Sequence, residues 1–405
     1  MLSQMVRELA ICFYLLIFRC LFTIFSLFPL KNKTTFVVSF GDNSQYVYEE
    51  ILRQGIPTKV VFLCEQKAYN KFKDVQKADI ILFEPRLVMN WLRSIFHLAT
   101  SRHIFIDNYF GFLAAVSFRK EVQCIQLWHA SGAMKKFGLE DESIKSRTNR
   151  AKERFLQVYH KFDQVVVGSE VMTEIFMRSF NLPKEKMLPT GIPRTDFFYN
   201  EEAKQKATMT LLSNHPILKD KKIILYAPTY RDNELTHFNL ALDVEKMARE
   251  LGPDYTLILR LHPAIVHKDD YTARYPDFVV DLSSSLYEIN DLLAVADILI
   301  TDYSSIPYEY SLLHRPIIFF TYDFEKYKQE RGVMAGFEEQ LPGPMVNDTE
   351  SIIDLIQTNR FDLSQVEYYS EKWNQYSKGH SSQTLVSKLF LEYRPETQAE
   401  GALYK

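Results

Sequence analysis

The chain has almost no charge excess: 48 Lys and Arg stand against 51 Asp and Glu, for a formal net charge of −3. It therefore lacks the strongly basic balance of a nucleic-acid-binding domain, and any affinity for anions has to come from local patches. Cysteine is scarce, with only Cys12, Cys20, Cys64 and Cys124. All four sit in apolar runs without CxxC pairing or zinc-ligand spacing, which argues against a disulfide framework and predicts buried free thiols in a reducing compartment. No two histidines have the HExxH spacing, so an all-protein metal site is not expected. The one long apolar segment lacks a small-residue cleavage pattern and does not read as a signal peptide.

What is present is ample apolar material. A hydrophobic fraction of 46% with 14% aromatic residues over 405 positions suits two domains of about 170 to 200 residues each. Residues 9–30, LAICFYLLIFRCLFTIFSLFPL, carry one strong charge, Arg19. A helix of that length would just cross a bilayer core. A central arginine costs roughly 2.5 to 3.5 kcal/mol there. A helix lying in the interface, with Arg19 reaching the headgroups, tolerates it better. Residues 1–32 are therefore expected to be a membrane-association segment, monotopic on the cytoplasmic face. A single span and a soluble core helix are the alternatives. Lys31 and Lys33 favour a cytoplasmic location for the domain after them.

From Lys33 onward, short apolar runs end repeatedly in polar or glycine-containing turns: TFVVSFGDN, KVVFLCE, ADIILFE, HIFIDN, CIQLWHASG and QVVVGSE. After a helix-prone connection near Asn200–Asn214 come KIILYAPTYRD, YTLILRLHP, DFVVDLS, ADILITDYSS and RPIIFFTYD. Helix-length stretches such as Tyr46–Gly55 and Glu170–Phe180 lie between them. This alternation predicts an α/β fold of two doubly wound parallel sheets, with domains at 33–200 and 201–394 facing a cleft. Leu385–Tyr393 reads as a helix, and residues 395–405 as a flexible tail.

In open parallel sheets ligands bind at the carboxyl ends of the strands. In the second domain those ends carry Thr229 and Arg231, then Arg260 and His262, then Asp302, Ser304 and Ser305, a set suited to a diphosphate. Ser305 opens a helix with Pro307 just inside it, so free N–H groups add to a phosphate seat unless the serines are only caps. Glu309, a turn further on, would accept from ribose hydroxyls or would be a solvated glutamate. In the first domain His129 follows the run Cys124–Trp128, where an imidazole can take a proton from an attacking hydroxyl at neutral pH. The small residues after it allow close approach of a ligand, and Lys135 and Lys136 offer charge to a phosphorylated acceptor. The basic run Lys145–Lys161 faces either anionic lipid heads or solvent.

The ordered segments LWHASGAMKKFG, VVVGSE, PTGIPRTD, ILYAPTYRD, LRLHP, ADILITDYSSIPYEYSLLHRPIIFFTYD and Pro342-Gly343-Pro344 resemble the CDP-glycerol glycerophosphotransferase family of wall teichoic acid synthesis, over approximately Phe36 to Val346. The resemblance implies a GT-B fold and transfer of glycerol phosphate from CDP-glycerol to a membrane-embedded, undecaprenyl-diphosphate-linked disaccharide, with CMP released. It implies His129 and His262 as catalytic residues, with Thr229, Arg231, Arg260, Asp302, Ser304, Ser305 and Glu309 around the donor. Asp302 is there more a loop organiser than a catalyst. Ser131, Lys135, Lys136 and Arg194 would lie around the acceptor. CDP-glycerol is then a co-substrate and no cofactor is implied, while metal dependence stays open. The partners implied are that lipid-linked acceptor and the membrane surface, not nucleic acid, and a homo-oligomer is compatible. The Trp128–Ala133 turn looks more like the primase branch than the WHGTPLKK-like turn of the polymerases, and the long extra N-terminal region of many polymerases is not seen. A glycerol- or ribitol-phosphate polymerase, a GT-B nucleotide-sugar glycosyltransferase and a membrane-bound nucleotide sensor are the alternatives.

Overall fold

The computed structural model describes residues 2–231, 240–262, 265, 269–334 and 336–392. The expected flexible tail at 395–405 lies outside them. Two compact units divide the chain.

The first unit is built on a seven-stranded sheet. Its strands are β1 (Lys31–Val38), β2 (Lys59–Cys64), β3 (Ala78–Leu82), β4 (Ser101–Ile106), β5 (Gln123–Gln126), β6 (Gln164–Val166) and β7 (Met187–Leu188), in the order β3-β2-β1-β4-β5-β6-β7. Every neighbouring pair is parallel. Helices cover both faces of such a sheet, which is why its central strands are near-continuous apolar runs instead of alternating ones. Register puts Phe36 beside Phe62 on one side and Phe105 on the other. The rings stack at 4.7 and 4.9 Å, each pair adding about 0.5 to 1.5 kcal/mol beyond burial.

The last helix, Ser381–Ser387, and the turn Lys388–Glu392 belong to this unit and not to the one that precedes them in sequence. Leu385, Val386 and Leu389 enter the same core as Phe36 and Phe105. The expected boundary of the second domain at residue 394 is thereby corrected, because these apolar side chains complete the first sheet's face.

The N-terminal helix, Leu2–Phe25, also packs on the first unit. Phe18 and Phe22 are buried. Phe18 stacks on Phe112 at 5.0 Å and meets Trp91 edge-on at 5.9 Å. Glu8 accepts both guanidinium hydrogen bonds of Arg154, at 2.7 and 3.0 Å. The opposite side of the helix is a row at steps of three or four, Val6, Leu9, Phe13, Leu16, Cys20 and Ile24, all exposed. Cys64 and Cys124 are buried, but Cys12 and Cys20 are exposed on this helix, so the expectation of four buried thiols fails for two of them.

The second unit carries β8 (Lys222–Tyr226), β9 (Tyr255–Leu259), β10 (Val279–Asp281), β11 (Ile298–Thr301), β12 (Ile317–Phe320) and β13 (Met345–Val346), in the order β10-β9-β8-β11-β12-β13 and again parallel. It comprises Thr195–Gly379 together with the short segment Ser131–Lys136. In both sheets the first strand of the unit lies between its second and fourth, so the chain reverses its winding there. That is the point at which doubly wound sheets open a crevice for ligands.

Candidate functional site

Each unit places an aspartate one residue past its fourth strand, and each aspartate reaches the loop after the first strand. In the first unit this is Asp107. One carboxylate oxygen accepts the Ser39 N–H at 2.9 Å, and the other accepts those of Phe40 and Gly41 at 2.9 and 2.8 Å. Burial outweighs these three donors and pushes the Asp107 carboxyl up to about 6. Gly41 has φ 98°, and a Cβ there would come within 2.5 Å of the Phe72 ring. Only glycine makes this turn without strain.

His129 stands three residues beyond β5, against that turn. Its Nδ1 lies 3.1 Å from the Asp107 backbone carbonyl. A carbonyl can only accept, so Nδ1 carries the proton and Nε2 is left with a lone pair. The ring stacks on Phe40 at 4.2 Å and meets the tilted Trp128 ring at 4.4 Å. Burial lowers its pKa to about 4, partly opposed by the Asp107 carbonyl. The imidazole is therefore neutral at pH 7, the state a general base needs. Trp128 itself has φ 58°, a left-handed conformation that costs a bulky residue of order 1 to 3 kcal/mol and that clusters at functional sites. It is held by the Gln126 side chain, whose Oε1 accepts the Trp128 N–H at 2.8 Å.

Arg194 organises the same loop. It donates to the His129 carbonyl at 3.1 Å and lies 3.5 Å from Asp42, while its backbone N–H donates to Asn43 at 3.1 Å. Asn43 in turn donates to the Trp128 carbonyl at 3.0 Å.

The other residues expected near the acceptor lie in the segment 131–136 and are held by the second unit. The buried Ser131 hydroxyl donates to the buried Glu309 carboxylate at 2.7 Å, so Glu309 is an internal acceptor and not a solvated helix-face group. A Cβ at Gly132 would lie 2.4 Å from the Tyr308 ring; the missing side chain makes room for an aromatic ring. The Lys135 ammonium stands 5.1 Å over the Tyr327 ring, and Lys136 is exposed.

In the second unit the aspartate past the fourth strand is Asp302. It accepts the Thr229 N–H at 2.8 Å and its neighbour Tyr303's N–H at 2.6 Å. Its other oxygen takes Arg231 at 3.0 Å, and Asp323 takes the same guanidinium at 2.7 and 3.0 Å. Arg231 also donates to the Thr229 carbonyl at 2.6 Å and stacks over Tyr327 and Tyr303 at 4.9 and 5.1 Å. Burial works against its charge, but Asp323 and Asp302 outweigh burial and hold its pKa above the ordinary value. Arg260 gives its donors to the carbonyls of Leu282, Ser284 and Tyr287 at 2.7, 2.6 and 2.8 Å. Both arginines are thus committed to protein partners.

Ser304 shares a hydroxyl hydrogen bond with Thr301 at 2.9 Å. Ser305 precedes a helix of only five residues, Ile306–Tyr310, and makes no side-chain cap. So short a helix adds little dipole, and the hydroxyls and loop N–H groups are what the turn offers an anion. His262 is exposed, with its ring 4.4 Å from Tyr230.

Sequence reasoning missed Asp107, Phe40 and Asp323. A signal for Asp107 was available: IFID and LITD end the fourth strand of each unit alike.

A family model described as CDP-Glycerol:Poly(glycerophosphate) glycerophosphotransferase matches residues 20–391. A teichoic acid glycerol-phosphate primase of Bacillus subtilis (strain 168) is 38% identical over 359 residues, covering 88% of this chain and 91% of that protein. The teichoic acid poly(glycerol phosphate) polymerase of the same strain is 30% identical over 396 residues, covering 92% of this chain and 50% of the polymerase. Among solved structures, the wall teichoic acid polymerase TagF superposes with a TM-score of 0.78 at 23% identity, covering 97% of this chain and 98% of that one, which establishes the GT-B-like fold. With the family model spanning nearly the whole chain, the protein belongs to the CDP-glycerol glycerophosphotransferase family.

Proposed function

We propose that the protein is a teichoic acid glycerol-phosphate primase. In this reading a hydroxyl of a polyprenyl-diphosphate-linked disaccharide attacks the glycerol-bearing phosphorus of CDP-glycerol. The bond from that phosphorus to the bridging oxygen breaks, CMP leaves with the oxygen, and the hydroxyl proton passes to Nε2 of His129. The observation that carries the reading is the single neutral tautomer in which the Asp107 carbonyl holds His129. Thr229, Ser304, Ser305 and His262 contact the donor, and His262 stabilises charge on the transferring phosphoryl group, a task of positioning and electrostatics. Arg231, Arg260, Asp302 and Glu309 set the loops that present them. Lys135 and Lys136 serve the acceptor side, while Ser131 and Arg194 hold the segment and the His129 loop that face it. The greater identity to the primase, 38% against 30% for the polymerase, supports one or a few additions over a long polymer.

The N-terminal helix would hold the enzyme on the cytoplasmic face of the membrane. Val6, Leu9, Phe13 and Leu16 are 58, 61, 65 and 57% exposed, which favours insertion of that side into the interface. A span across the bilayer would break the contacts of Phe18, Phe22 and Glu8 with the first unit. The functional test is transfer from labelled CDP-glycerol to a synthetic lipid-linked disaccharide. One or a few added glycerol phosphates are expected; transfer only from CDP-ribitol or UDP-sugars, or a long polymer, would overturn the reading.

A further inference from the structure

A cavity of about 670 Å³ lies within the first unit, beneath the N-terminal helix. Its walls are chemically mixed. Tyr109 and Phe155 pack with their rings tilted by 31° and 4.7 Å apart, and the Arg147 guanidinium lies 5.2 Å over the Phe155 ring. Arg7 and Arg154 add two further guanidinium groups, and Arg154 is offset by its pairing with Glu8. Aromatic faces with arginines around them suit a ligand that has both sugar rings and phosphates. The volume is within the roughly 300 to 1,000 Å³ of small-molecule sites and far exceeds what one phosphate needs.

Its position is as informative as its lining. Glu65 and Phe83 are each one residue past their strands, β2 and β3, and Tyr109 is three residues past β4. The cavity therefore opens along the carboxyl edge of the sheet, the edge that carries His129 after β5, and neighbouring strands are only about 4.8 Å apart. On its other side it is roofed by the inner face of the N-terminal helix, through Arg7, Ile11 and Tyr14. The exposed apolar row Val6, Leu9, Phe13 and Leu16 is on the opposite face, one helix diameter or about 10 Å away. A helix seated in the interface by that row would hold the cavity at headgroup level.

We propose that this cavity receives the head of the lipid-linked acceptor, a polyprenyl diphosphate-linked saccharide, with its sugar rings on Tyr109 and Phe155, its phosphates on Arg7 and Arg147, and its hydroxyl end directed along the strand ends toward His129. The proposal rests on the reading of the protein as a transferase to a lipid-linked acceptor and names where that acceptor sits.

The test uses the full chain with phosphatidylcholine vesicles carrying a synthetic polyprenyl diphosphate-linked disaccharide, beside vesicles carrying phosphatidylglycerol in its place. The Arg7→Gln/Arg147→Gln double variant is expected to bind the first vesicles at least about tenfold more weakly than wild type, the loss of one or more charge-assisted hydrogen bonds. Its binding to the second should change by less than about twofold. Lys145→Gln removes a nearby charge that does not line the cavity, and it should leave both unchanged. Equal losses in the two variants, or a loss confined to phosphatidylglycerol vesicles, would assign the arginines to bulk lipid heads and overturn the proposal. A second measurement needs no variant: a diazirine on the disaccharide should crosslink wild-type protein within residues 109–112 or 147–155, and crosslinks confined to other segments would sink the idea. Wild-type protein that binds and crosslinks in this way but transfers nothing from CDP-glycerol would contradict the function proposed above and leave this site standing.

Discussion

The acid side of the pH–rate profile should distinguish this His129 from an ordinary one. An unperturbed imidazole titrates near 6.5, whereas burial under Phe40 and Trp128 brings His129 down to about 4. At about pH 5.5 the two cases differ sharply: about 97% of this half-buried ring is neutral, against about 9% of an unperturbed one, a tenfold difference in competent base. Since kcat/KM reports the free enzyme, initial rates at low acceptor concentration from about pH 4 to 8 should stay nearly flat down to about pH 5. Phe40→Ala removes one face of the stack, which now has its rings 4.2 Å apart. It should move the acid limb upward toward 6.5 while Nδ1 stays on the Asp107 carbonyl. A wild-type limb already at 6.5, or a limb that Phe40→Ala leaves in place, would refute the argument that burial sets the base.

Further outcomes rest on the same contacts. His129→Ala should abolish turnover while CDP-glycerol binding, measured by calorimetry, stays within about twofold of wild type, because the proposed donor contacts all lie in the second unit. Arg231→Ala leaves Asp302 and Asp323 without their common cation, and should lower stability by about 3 to 5 kcal/mol in thermal unfolding; a change confined to donor KM would contradict the internal role given to that arginine. Replacing Leu9, Phe13 and Leu16 together by serine should release the protein from membranes with little change in melting temperature, whereas deleting the helix should destabilise the first unit by uncovering Trp91 and Phe112. His97, His103 and His129 are all lowered to about 4 by burial. At these three sites the unfolded chain binds more protons than the folded one between about pH 4 and 6.5; the Asp107 carboxyl, raised to about 6, opposes them at one site, so stability should still fall as pH drops through that window, by less than the three histidines alone would give.

Much of the fold was legible because buried parallel strands are written as continuous β-branched runs. The strands Ile298–Thr301 and Ile317–Phe320 lie inside the runs ADILITDYSS and RPIIFFTYD for that reason. Met187–Leu188 and Met345–Val346 were not, since two residues at a sheet edge leave no pattern. The return of Leu385, Val386 and Leu389 to the first sheet was also hidden, because an apolar helix does not state which core it completes. At the site, residue type was visible and commitment was not. Arg231 and Arg260 read as cations for a diphosphate, but their guanidinium groups serve Asp302, Asp323 and backbone carbonyls. The small residues after His129 read as room for a ligand, and at Gly132 the Tyr308 ring occupies that room. Asp107 escaped notice because its function depends on three backbone N–H groups of a turn 66 to 68 residues away in sequence, and no local pattern records such a contact.

The most direct test of the central claim is mass spectrometry of the product formed from CDP-glycerol and a synthetic polyprenyl diphosphate-linked disaccharide, with CMP quantified in the same reaction. An acceptor heavier by one or a few glycerol phosphate units is expected, with one CMP per unit added and neither product with His129→Ala. CMP released without a heavier acceptor, or full activity in His129→Ala, would contradict it.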